Sequence, residues 1–139
     1  VSALIMGETI HIPCCCYEIE EYILGPNLHL TPQYNVIFFD GNDGASRRVE
    51  QVYKATRKVT NRAYLISNNP QLSRDGHVLS LSDTVSSELS PLVYLPFVQL
   101  LSFIVSNDLH SIYQHPLLKE FKAIAAAKTE NFVNYDGDD

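Results

Sequence analysis

Apolar residues along the chain fall into two rhythms, a near-3.6 spacing and short unbroken runs, and the two alternate. Residues 1–11 read as a helix, with Ala3, Leu4, Met6 and Ile10 available for packing and Gly7 as its weak point. Pro13 is expected to stop it. Residues 14–17 suit a short strand, and 18–24 a helical turn ending at Gly25-Pro26. The run 34–40 (YNVIFFD) lies between Pro32 and Gly41, the pattern of a strand buried on both faces.

The cleanest helix spans 46–59: Val49, Val52, Tyr53, Thr56 and Val59 share one face, while Arg47, Arg48, Glu50, Lys54, Arg57 and Lys58 fill the other. Residues 62–67 (RAYLIS) form a second buried strand closed by Asn68-Asn69-Pro70, and 77–81 a shorter third. A long apolar helix is expected over 91–107, with Ser90 as N-cap and Pro91 at the first helical position, where its missing donor costs nothing. A last helix is expected over 115–127. Strand and helix alternate, which predicts an α/β fold, a parallel sheet with helices on both faces.

Composition narrows the function. The 139 residues suffice for one domain with a core, and 45% hydrophobic content fits a globular protein. A net charge of −6, with no basic run longer than Arg47-Arg48, argues against nucleic acid as partner. A small phosphorylated ligand stays open, because backbone amides at a helix start can hold it. Cys14, Cys15 and Cys16 are consecutive, which suits neither a tetrahedral metal nor an unstrained disulfide, so they read as small apolar strand residues in a reducing cytosol. No metal or other cofactor motif is present. The first residues lack the basic stretch of a secretory signal, and the expected location is cytoplasmic. Residues 89–107 carry no charge, but their prolines, Gln99 and serines favour a buried helix over a membrane span. The acidic end, Asp136 to Asp139, reads as a solvated tail.

Candidate chemistry gathers early in the chain. Glu8 stands on the first helix, and Leu24 follows it by sixteen residues, immediately before Gly25-Pro26. The segment Tyr17-Glu18-Ile19-Glu20-Glu21-Tyr22-Ile23-Leu24-Gly25-Pro26-Asn27 resembles the sugar isomerase (SIS) domain family, which binds and reworks phosphorylated sugars. Its Glu-Glu-Tyr-Ile-Leu-Gly-Pro core is similar to the fructosamine-6-phosphate deglycase branch. Ser90-Pro91-Leu92-Val93-Tyr94-Leu95-Pro96-Phe97-Val98-Gln99-Leu100-Leu101 is similar to the last-helix signature of the isomerase half of glutamine–fructose-6-phosphate aminotransferases.

The resemblance implies a three-layer αβα sandwich of flavodoxin-like type over 1–108, of the second-half kind and lacking its first strand, followed by a C-terminal helix and tail over 109–139. It also implies that the chain is a segment of a longer two-SIS polypeptide. Glu8 takes the place of the family's general base, which moves a proton between C1 and C2 of the sugar. The family histidine is replaced by Leu24, which can neither donate nor accept a proton; with Gly25 and Pro26 it marks the substrate-binding turn. Lys128 in Ala127-Lys128-Thr129 resembles the lysine that acts at the sugar carbonyl. Glu18, Glu20 and Glu21 read as scaffold carboxylates, and His11, His29, His77, His110 and His115 as structural. The family's S-x-S-G-x-T phosphate loop has only an imitation, Ser80 to Thr84, lacking the glycine.

Three functions follow as expectations. One is part of a ketose/aldose phosphate isomerase or a fructosamine-6-phosphate deglycase. Another is a phosphosugar-binding regulatory module without turnover, favoured by Leu24. The third is a dimerisation half using the long apolar helix. The expected partners are a phosphorylated sugar or fructosamine phosphate and another SIS domain, in the same or a second chain of a homo-oligomer, with neither nucleic acid nor membrane.

Overall fold

The computed structural model describes residues 2–81 and 85–109. The elements run α1 (Ser2–Ile10), α2 (Ile19–Leu24), a 3-10 turn (Pro26–His29), β1 (Val36–Phe39), α3 (Ser46–Thr56), β2 (Ala63–Ser67), a 3-10 turn (Pro70–Leu72), β3 (Val78–Ser80) and α4 (Ser90–Asp108). The three strands form a parallel sheet in the order β1-β2-β3. Val36 pairs with Ala63 and Phe39 with Ile66, and Leu65 pairs with Val78.

Successive residues of a strand point to opposite faces, and both faces here carry helices. Phe38, Ala63 and Leu65 meet Val49, Val52 and Tyr53 of α3, with Tyr22 and Ile23 of α2 packed alongside. Tyr22 and Tyr53 each meet the Phe38 ring edge-on, at centroid distances of 5.8 and 6.0 Å. Each such aliphatic side chain contributes about 1.5–3 kcal/mol when withdrawn from water. On the other face Tyr94 of α4 packs on Phe39, with ring centroids 5.4 Å apart. α1 packs against α4 as the outer member of that layer. The fold is therefore α/β, with a three-stranded parallel sheet between helical layers among the described residues.

Several expectations need correction. Residues 11–17 form neither strand nor helix, and Cys15 and Cys16 are exposed rather than packed. Pro13 brings no amide to a ladder. α1 ends before the proline: His11 adopts a left-handed φ of 60° and its N–H returns to Gly7 O at 3.1 Å. α3 stops at Thr56, so Val59 lies beyond the helix and is exposed. Ser90 is the first residue of α4 rather than its cap; its Oγ bonds Ser87 O at 2.9 Å.

α4 is not a buried helix. Its buried positions are Ser90, Val98, Ser102 and Ser106, while Leu92, Leu100, Phe103 and Ile104 are exposed. Length and composition alone would also let it cross a membrane, but Tyr94 and the α1 contact seat it on this domain. The expected helix over 115–127, the acidic tail, Lys128, His110, His115 and most of the Ser80–Thr84 imitation lie outside the described residues.

Candidate functional site

Two places gather polar side chains suited to a ligand. In open parallel α/β sheets ligands bind beyond the carboxyl ends of the strands. There Asn42, Asn68, Leu81, Val85, Ser90, Val93 and Tyr94 close around a cavity of only about 10 Å³, the space of one water. Beneath it lies Asp40, buried at the end of β1. Its carboxylate accepts from Asn42 N (3.0 Å), Ser46 Oγ (2.5 Å) and Ser67 Oγ (2.7 Å). Its carbonyl accepts the Tyr94 hydroxyl, so the residue joins β1, α3, β2 and α4. Burial first, and the Asp40 charge second, push the Tyr94 phenol above its ordinary pKa. Tyr94 is thereby kept as a donor.

The second place lies along α1. Ala3, Leu4, Gly7, Glu8 and Cys14 line an open groove of about 410 Å³. Glu8 is exposed there, free to reach a bound molecule. Burial, and then the neighbouring Cys15, raise the Cys14 thiol, so it faces the groove protonated. A carboxylate beside a neutral thiol on an apolar wall can take a proton from a carbon acid if the substrate is held by other groups.

Leu24, Gly25 and Pro26 are not part of that groove. Glu18 and Glu21 cap α2 reciprocally, and Tyr22 holds α2 to α3 through Thr56 at 3.2 Å. Glu20 joins the same two helices by pairing with Arg48 at 2.9 Å. These carboxylates hold α2 in place, the scaffold role expected of them. Leu24 projects from the end of α2 and is 84% exposed. Glu8 thus belongs to the α1–α4 layer and Leu24 to the α2–α3 layer.

The Asp40 cluster was not singled out by sequence patterns. Its signal was the Asp-Gly-Asn-Asp-Gly-Ala-Ser stretch between a strand and a helix, which reads as an ordinary turn until Ser67 and Tyr94 arrive from distant parts of the chain. Among the described residues no group of three or more His, Cys, Asp or Glu side chains could hold a metal ion.

A solved structure from Clostridium difficile 630, described as a "putative phosphosugar isomerase", superposes with a TM-score of 0.68 over 76% of this chain at 21% identity. The two share a fold. The matched region is 29% of that protein, so this chain spans well under half of its length. No family model and no curated protein matches the sequence.

Proposed function

We propose that this chain is a phosphosugar-binding domain of SIS type, one part of a cytosolic ketose/aldose phosphate isomerase or fructosamine-6-phosphate deglycase. The supporting observation is the exposed Glu8 on a groove of about 410 Å³, within a fold shared with a protein described as a "putative phosphosugar isomerase". Glu8 would serve as the base that moves a proton between C1 and C2, in a site completed by another SIS domain. Lys128 is a candidate for the sugar carbonyl, and Leu24-Gly25-Pro26 would face the substrate of the adjoining unit.

The test is turnover of fructose 6-phosphate and of a fructosamine 6-phosphate by the complete polypeptide that carries this chain. Glu8→Gln is expected to lower kcat by at least about a hundredfold, the size of a lost general base, with a smaller effect on KM. Retained turnover in this variant removes Glu8 from the mechanism.

A second reading is a phosphosugar sensor without turnover. The apolar, solvent-facing Leu24 in place of the family histidine favours it. Binding of the same sugars by the complete polypeptide with no turnover, and turnover gained in Leu24→His, would select that reading.

A further inference from the structure

The loop from Asp40 to Ser46 carries β1 into α3, the place where an α/β sheet ordinarily offers amides to an anion. In this chain four of those amides, Asn42, Asp43, Ala45 and Ser46, already have acceptors. Asn42 N donates to Asp40 Oδ1 at 3.0 Å, Ala45 N to Asp43 Oδ1 at 2.8 Å, and Asp43 N to Ser46 Oγ at 3.0 Å. Ser46 N donates to Asp43 O at 3.2 Å. The Asp40 carboxylate, 6% exposed, also takes the hydroxyls of Ser46 and Ser67. An amide and two hydroxyls converging on one buried anionic group form a donor set that would equally suit phosphate oxygens.

We propose that Asp40 is a built-in anion. Its side chain fills the ligand position of the β1–α3 loop, so that loop holds no phosphate. In a phosphosugar complex the phosphate is then held away from the β1–α3 loop, while this chain addresses the sugar carbons through the Glu8 groove. That last step rests on the proposed function; the filling of the loop does not.

Two further observations agree. The cavity above the loop has room for about one water. The Asp43 carboxylate lies close over Gly41, where a Cβ would come within 3.1 Å of its Oδ2. A second negative charge placed there would repel an incoming anion.

The experiment is a titration of inorganic phosphate against chloride at matched ionic strength, read by the backbone amide resonances of residues 41–46. The wild-type chain is expected to show no phosphate-selective shifts in this loop. Asp40→Ser removes the carboxylate and keeps a donor, and Asp40→Asn removes only the charge. The folded variant is expected to bind phosphate at least about tenfold more tightly than wild type. Should Asp40→Ser be unfolded in chloride, recovery of its near-ultraviolet dichroism by phosphate supports the proposal, and failure to recover overturns it. Phosphate-selective shifts in wild type, or folded variants that gain no affinity, also overturn it. Because the probe is inorganic phosphate, the outcome is independent of whether the complete polypeptide turns over a sugar.

Discussion

Tyr53, 1% exposed on α3, donates its hydroxyl to Asp75 Oδ2 at 2.8 Å, and Asp75 Oδ1 in turn accepts His77 N at 2.9 Å. Burial, followed by the Asp75 contact, raises the Tyr53 phenol beyond its ordinary range. The His77 amide, followed by the Tyr53 hydroxyl, holds Asp75 below its own. The signs differ. A lowered Asp75 contributes stability that is full above about pH 4 and is lost as pH falls through its folded value. A raised Tyr53 contributes below about pH 10 and loses it as pH rises further. Tyr53→Phe is expected to cost about 1 kcal/mol at neutral pH in urea unfolding. The gap between wild type and Asp75→Asn should narrow below about pH 4, kept small throughout by the solvent around Asp75. An unchanged gap at acid pH would mean that the pair does not carry this dependence.

At the scale of elements, α4 meets its neighbours through small residues spaced four apart, Val98, Ser102 and Ser106. The Ser102 Oγ is buried and has no hydrogen-bond partner among the described residues. Ser102→Ala is therefore expected to leave stability unchanged or raise it by about 1 kcal/mol, whereas Ser102→Leu should lower it by about 1–3 kcal/mol through overpacking. Thermal unfolding of the two variants checks this. The elements themselves were largely legible. Val49, Val52, Tyr53 and Thr56 reach the core because their spacing is helical, and β1 and β2 show in unbroken apolar runs. What patterns missed depends on neighbours. Cys14 to Cys16 have strand composition but no ladder to join. The apolar residues of α4 said that the helix would be covered, not which side. Among candidate site residues, Glu8 and Leu24 were placed by their sixteen-residue separation. That spacing could not reveal that α1 and α2 settle in different layers, nor could a turn sequence announce the reach of Asp40.

At the scale of the whole molecule, the exposed apolar flank of α4 sets the expected state of association. Leu92 is 67% and Phe103 58% exposed, with Leu100 and Ile104 beside them. A patch of this kind ordinarily marks a contact surface. In the proposed function it receives another SIS domain, and the complete polypeptide is expected to be at least a dimer by sedimentation. Phe103→Glu combined with Leu100→Glu should shift it toward the monomer while leaving the Tyr53 core signal intact, since neither side chain is buried. A wild-type monomer would mean that no second chain sits on this surface.

The cysteine run carries a consequence of a different kind. Cys14 lines the Glu8 groove with its thiol raised, while Cys15 and Cys16 stand exposed outside it. Three adjacent thiols thus differ in how quickly an alkylating reagent reaches them, the innermost being slowest. Anything seated in the groove shields that one alone. The chain carries its own occupancy gauge, readable by mass spectrometry before any substrate has been named.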